Sequence, residues 1–264
     1  MHFFRFIVIC LLLFSVGPAF PLAAAEVPAI AAAADLKFAL AEVATRFSAE
    51  TGQKVRISFG SSGTFMTQIE QGAPFEIFLS ADENFVFRLS NRGLTEDRGR
   101  LYAVGQIVLF APTGSSLAVD PELRGLKSAL TAGSLRRFAI ANPEHAPYGR
   151  AAWAALQSVG LWAEVAPRLV FGENAAQAMQ FAASGSADGG IVPLSLVKAS
   201  ETGGLGRYAV IPQAWHAAEP LRQRMVLLKG AGQVSRDFYR YLQTPAVREV
   251  LAGYGFVAPE GAGD

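Results

Sequence analysis

Cysteine is all but missing from this chain: in 264 residues there is one, Cys10, and it lies inside an apolar N-terminal run. Past that run, disulfides and thiolate metal sites are excluded. Histidine is nearly as scarce. Beyond His2 there are His145 and His216, in unrelated contexts, and no His/Asp/Glu cluster has metal-ligand spacing, so no metal site is expected. Basic runs are missing too. Lysine and arginine number 23 against 22 acidic residues, a balance without the concentrated positive field that nucleic-acid binding needs. No stretch is apolar for the roughly 20 residues of a membrane span. The nucleophile elbow G-x-S-x-G and the P-loop lysine are absent as well, and no cofactor is expected.

What is present begins with a leader. Arg5 precedes the apolar run Ile7 to Phe14, then come Gly17-Pro18 and the small residues Ala23-Ala24-Ala25. That order reads as a secretory signal peptide over residues 1–25, cleaved after Ala25, and marks the chain for export. Cys10 sits mid-run, not at its end where a lipoprotein would need it. Roughly 240 residues remain, enough for one large or two ordinary domains.

Strand-like and helix-like segments alternate. Strand candidates are Val55 to Phe59, Phe75 to Leu79, Tyr102 to Phe110, Arg137 to Ala141, Arg168 to Phe171, Gly190 to Val192, Tyr208 to Ile211 and Met225 to Leu228. Between them, Leu36, Ala39, Leu40, Val43 and Phe47 fall at helical spacing and Gly52 follows as a stop, with Asp35 in the N-cap position. Shorter helices are expected around Phe85–Leu89, Arg150–Val159 and Ala175–Ala182, and two in the tail, about Ser235–Leu242 and Ala246–Ala252, split by Pro245. The pattern predicts an α/β fold of two lobes, each a mostly parallel sheet flanked by helices. No Ser/Gly/Pro tract separates them. The expected crossovers are themselves strands, which divides the chain into residues 26–105 with 226–264 as lobe 1 and 106–225 as lobe 2.

Gly60-Ser61-Ser62-Gly63-Thr64 lies between a strand and a helix. Such a turn exposes backbone N–H groups at a helix N-terminus and favours an anion; a plain left-handed turn with a serine cap is the alternative. Ala34-Asp35, Pro147-Tyr148-Gly149 and Glu173-Asn174-Ala175 open helices in the same way. Ligands bind at the carboxyl ends of strands in open α/β sheets. Four such helix starts facing one cleft could hold a dianion without lysine or arginine.

Several stretches carry a resemblance, in order along the chain: Ala32-Ala33-Ala34-Asp35-Leu36, Phe59 to Thr64, Gln68 to Pro74, Leu79-Ser80-Ala81-Asp82, Asn142 to Gly149, Gly172-Glu173-Asn174, Gly189 to Val192 and Tyr254-Gly255-Phe256. Together they resemble the periplasmic molybdate-binding proteins of ABC importers over essentially the whole mature chain. The resemblance implies a two-lobed clamp that holds a dehydrated tetrahedral oxyanion, molybdate or tungstate, by neutral hydrogen-bond donors. It implies a monomer that delivers the anion to an ABC permease in the inner membrane and has no enzymatic activity. By position it assigns Asp35, Ser62, Tyr148 and Ala175 to the oxyanion, with Ala34, Ser61 and Pro193 as further candidates. Asp35 stands where the family usually has a serine, and Pro193 where some members have a tyrosine.

An ionised Asp35 is an acceptor only and would repel a dianion. Three readings follow. Asp35 turns away and caps its own helix; or it is protonated in the closed cleft; or the ligand is a protonated phosphate- or arsenate-like oxyanion whose proton Asp35 accepts. A reading of another class is an exported hydrolase using Ser62, or Ser61, with His145.

Overall fold

The computed structural model describes residues 27–199 and 204–259; the expected signal peptide lies outside the described residues. Ten strands run in chain order: β1 Ala29–Ala33, β2 Arg56–Gly60, β3 Ile77–Ser80, β4 Arg100–Val104, β5 Ile107–Pro112, β6 Phe138–Ala141, β7 Leu169–Gly172, β8 Gly189–Pro193, β9 Gly206–Val210 and β10 Arg222–Leu227. Ten α-helices alternate with them: α1 Lys37–Thr51, α2 Ser62–Glu70, α3 Glu83–Asn91, α4 Arg124–Thr131, α5 Pro147–Ser158, α6 Trp162–Val165, α7 Ala175–Ala183, α8 Leu194–Val197, α9 Gln233–Tyr241 and α10 Pro245–Gly253.

The strands form two five-stranded sheets, ordered β2-β1-β3-β10-β4 and β7-β6-β8-β5-β9. The parallel core that alternation predicts is present as β2-β1-β3 and β7-β6-β8. Beside it, β10 runs antiparallel to β3 and β4, and β5 antiparallel to β8 and β9, so both sheets are mixed. These antiparallel strands are the ones through which the chain enters from the other lobe.

Side-chain alternation builds the first lobe. Ile30 and Ala32 of β1, Ile77 and Leu79 of β3 and Met225 of β10 face one core, with Leu40, Phe47, Phe238 and Val250 from α1, α9 and α10. Their neighbours Ala31, Phe78 and Val226 face the other, with Phe65, Met66, Val86 and Leu89 from α2 and α3. A sheet covered on both faces needs near-continuous apolar strands. The second lobe has its own core around Val108, Phe110, Phe138 and Ile140, and Ala33, Ala34 and Ala81 of the first lobe join it. Small side chains at that seam let the lobes meet closely.

The predicted helices form near their expected bounds, and Gly52 ends α1 in the left-handed conformation, φ 71°. Three expectations change. The stretch Tyr102 to Phe110 breaks at Gly105-Gln106 into β4 and β5, in different sheets, because this is where the chain crosses. The last strand starts at Arg222 and not at Met225. A boundary between residues 225 and 226 would cut β10, and the whole strand pairs in the first sheet. The alanine-rich β1, absent from the strand candidates, is the central strand of the parallel trio. The two crossovers are tied together where the Gly105 N–H donates to the Leu221 carbonyl at 2.9 Å.

Strand contact in the second sheet leaves no room at Gly190, where a Cβ would lie 2.4 Å from the Ala139 carbonyl oxygen of the neighbouring β6. Gly190→Ala is expected to destabilise the protein by about 1–3 kcal/mol, the usual cost of overpacking, read as a lowered midpoint in urea denaturation.

Candidate functional site

The four helix starts singled out in the sequence do converge. Ala33, Ala34 and Asp35 before α1, Gly60, Ser61 and Ser62 at α2, Ala146, Pro147 and Tyr148 at α5, and Ala175 at α7 line one cavity together with Ala81. Its empty volume is about 190 Å³, of which about 10 Å³ is open to the centre of a water molecule, room for about one water. Two of the helix starts belong to each lobe. Asp35 is the only acidic or basic residue among the described residues of the wall. Pro193 is not part of it; the residue ends β8 opposite Ile107. A larger opening between the lobes, about 660 Å³, is lined by Lys37, Phe38, Phe59, Gln177, Met179 and Leu196 among others. The donors gather at the smaller cavity, which is therefore the candidate site.

Local sequence explains the donors. Helix starts leave first-turn N–H groups without intrahelical partners. Pro147 takes the first position of α5, where its missing N–H costs nothing, so Tyr148 supplies the first amide. At α7 the Asn174 side chain caps Ala176 and Gln177, at 3.0 and 3.1 Å, and not Ala175, whose residue faces the cavity. The Ser62 hydroxyl oxygen accepts the Ala81 N–H at 3.0 Å, which leaves its own proton to be donated elsewhere.

Asp35 does not cap a helix. It lies within a 3-10 turn, Ala34–Leu36, that precedes α1, and its side chain takes no helix N–H. One carboxylate oxygen, Oδ2, accepts the Tyr148 hydroxyl at 2.9 Å and Gln223 Nε2 at 2.5 Å. Gln223 Nε2 also reaches the Tyr148 oxygen at 3.2 Å, and its Oε1 accepts the Tyr102 hydroxyl at 2.8 Å. The other oxygen, Oδ1, is buried with no hydrogen-bond partner among the described residues. Burial raises the Asp35 pKa from 3.8 to about 6, and the bonds from Gln223, Tyr148 and its own backbone N–H hold it back from going higher. Burial and the facing Asp35 push both tyrosines well above their ordinary value. The Asp35 carbonyl accepts the Ser195 hydroxyl at 2.8 Å from the second lobe.

Ser62 and His145 do not form a pair. His145 Nδ1 lies 3.0 Å from Ser61 Oγ. The Ser61 hydroxyl donates to the His145 carbonyl at 2.5 Å, and the Gly63 N–H donates to the same oxygen at 3.0 Å. The serine proton is committed to a backbone carbonyl, so Nδ1 meets the Ser61 oxygen as a donor and does not take that proton. These bonds serve as an interlobe seam. A second seam is ionic. Arg150 of α5 bonds Asp82, the N-cap of α3, and Glu219 at 2.8 Å, and lies over the Phe85 ring at 5.3 Å. Sequence reasoning missed Gln223, Tyr102, Ser195 and Arg150. The signal for Gln223 was an uncharged polar residue between two arginines, two positions before Met225 on the same buried parity.

Two α/β lobes, two strand crossovers and a small cavity at the facing helix N-termini define a solute-binding protein of the periplasmic-binding-protein fold. Residues 29–257 match the family model for bacterial extracellular solute-binding proteins. The molybdate-binding protein ModA of Rhodobacter capsulatus is 37% identical over 91% of this chain and 92% of its own length; that of Azotobacter vinelandii is 38% identical over 88% and 90%. The solved structure of the periplasmic molybdate-binding protein of A. vinelandii superposes with a TM-score of 0.79 at 30% identity, over 89% of this chain and all of that one. The chain belongs to the bacterial extracellular solute-binding proteins, in the ModA-type periplasmic molybdate-binding family. It is a solute-binding protein.

The raised pKa has a sign for stability. Below pH 3.8 the Asp35 side chain is neutral folded and unfolded; above about 6 the folded state must hold an ionised, buried carboxylate. Stability is therefore lost as pH rises through about 6. Asp35→Asn is expected to be more stable than the parent at pH 8 by up to about 3 kcal/mol, with the gap closing near pH 4, as measured by urea denaturation across that range.

Proposed function

We propose that this protein captures molybdate or tungstate in the periplasm and delivers it to an ABC permease in the inner membrane, working as a monomer. The observation that carries the reading is the meeting of four helix N-termini, two from each lobe, at one small cavity with no lysine or arginine among the described residues that line it. Helix N-termini favour anions through their unpaired N–H groups and dipoles. The assigned donors are the Ser62 hydroxyl and backbone N–H groups at Ala34, Asp35, Ser62, Tyr148 and Ala175, with Ser61 holding the seam beside them. The relatives named above are molybdate-binding proteins, and a leader on residues 1–25 would send the chain to the same compartment.

The cavity is tight. An anion enters only without its hydration shell, as the walls part slightly. Sulfate carries the same charge, so size is what separates it from the larger molybdate and tungstate. The Tyr148 hydroxyl, already donating to Asp35, contributes through that carboxyl.

Asp35 sets a condition. At an effective dielectric of about 20, two unit charges 4 Å apart interact by roughly 4 kcal/mol, about three decades of affinity against a dianion. An ionised Asp35 is incompatible with tight molybdate binding. The unpartnered Oδ1 supports a second reading, in which the ligand is a protonated phosphate- or arsenate-like oxyanion that donates to it.

A thermal-shift and calorimetry panel separates them. Under the first reading, micromolar molybdate and tungstate stabilise the protein, sulfate and phosphate do so far less, and Ser62→Ala weakens tungstate by about 1.5–3 kcal/mol, roughly ten- to a hundredfold, the worth of a hydrogen bond to a charged group. No stabilisation by either metal oxyanion rules this reading out. Under the second, phosphate ranks first and Asp35→Ser reverses the order.

A further inference from the structure

We infer that Asp35 binds the anion as a neutral acid, with its proton on Oδ1 pointing into the cavity, so that capture of each dianion takes up one proton from solvent. The inference rests on the oxyanion reading above and adds what that reading leaves open, namely how a carboxyl lines a dianion site.

The geometry carries it. Both side-chain donors that reach the Asp35 carboxyl, the Tyr148 hydroxyl and Gln223 Nε2, end on Oδ2. That oxygen is thereby fixed as the acceptor. Oδ1 is buried without a hydrogen-bond partner among the described residues, on a residue that lines the cavity. A proton on the carboxyl has one free place, Oδ1, and there it becomes an O–H donor on a residue of the cavity wall. The neutral acid then offers the same kind of donor as the Ser62 hydroxyl of the same wall. Ionised, the same oxygen would present negative charge to the anion with no cation to screen it.

No other group takes over that proton. The titratable groups of the network are Tyr102 and Tyr148, both held neutral by burial and by Asp35 itself. From β10, Arg222 and Arg224 are paired to Glu83. From α5, Arg150 is paired to Asp82 and Glu219. Lys37 of α1 lines the outer opening and lies over Phe38. Arg56 is at the exposed start of β2, at the far end of that strand from Gly60. His145 is engaged with Ser61 and Glu173. The packed helices α7 and α8 carry no titratable residue. The balance is one ionised Asp35, one proton and one dianion giving one complex with a neutral Asp35. With the free carboxyl titrating at about 6, the proton is already present below that pH and must be acquired above it.

The test is isothermal calorimetry of the full mature protein with tungstate from about pH 6 to about pH 9, in pairs of buffers with different ionisation heats. The expected affinity falls about tenfold per pH unit above the Asp35 pKa, with about one proton taken up per anion near pH 8. Asp35→Asn, whose amide can donate at the Oδ1 position permanently, should bind with no proton uptake and a flat profile, and near pH 8 should exceed the parent about a hundredfold. Tungstate bound by the parent with a flat profile and no buffer dependence overturns the inference and leaves the proposed function standing. Hydrogen phosphate bound more tightly than tungstate, without proton uptake, overturns it in favour of a carboxylate that accepts the ligand's proton. No binding of tungstate or molybdate at any pH removes the proposed function itself, and this inference with it.

Discussion

The hydrogen bonds that end on one oxygen of Asp35 are the joint of the molecule. Tyr148 comes from the second lobe, Gln223 from the strand that returns to the first, and Asp35 from the turn before α1. Around this joint, side chains have been cleared away. A Cβ at Gly105 would lie 2.2 Å from the Tyr148 hydroxyl, and one at Gly63 would lie 2.6 Å from the His145 carbonyl. The first position is a crossover and the second an interlobe contact, so glycine at both lets the lobes close to hydrogen-bonding range. The Ser195 bond to the Asp35 carbonyl adds a third strut from the second lobe.

Charge is arranged around the cavity so that little of it acts inside. Ala81 is in the wall, and the next residue, Asp82, holds Arg150. Glu83 holds both Arg222 and Arg224. Each guanidinium near the crossover is spent on a carboxylate, with Arg150 shared between two. A lone arginine in the wall would bind any small anion strongly and discriminate little. Neutral donors on rigid helix starts are weaker singly, but they fix position, and position is how tetrahedral ions of equal charge are told apart.

Local signals in the sequence reached far. Helical spacing in α1, the glycine stops and the Gly-Ser turn are decided by neighbours a few residues apart, and the helix starts at Ser62, Tyr148 and Ala175 were found in that way. Features decided by distant residues were not. Asp35 reads as an N-cap from its position in the chain, yet its partners are 113 and 188 residues away, and burial with them outweighs the capping preference. The break at Gly105-Gln106 interrupts an apolar run whose two halves share one hydropathy but lie in different sheets. β1 escaped because alanine carries no strand preference; the strand forms because β2 and β3 pair with it on both sides. The serine next to His145 in space is Ser61, and from sequence both Ser61 and Ser62 were open.

The same bonds that orient Asp35 also tune it. Burial alone disfavours the carboxylate and would drive the acid toward permanent neutrality. Donors from Tyr148 and Gln223 favour the ionised form and pull the other way. The outcome, about 6, is a compromise between these opposed effects and sits near ordinary solution pH. A serine at this position would give a donor at any pH and would not need to be neutralised. An aspartate held by two donors gives one only when protonated, and gives it in a fixed direction because Oδ2 is already taken. Orientation and titration therefore have a single cause. A change that weakens the Tyr148 or Gln223 bond would loosen the aim of Oδ1 and raise its proton affinity together.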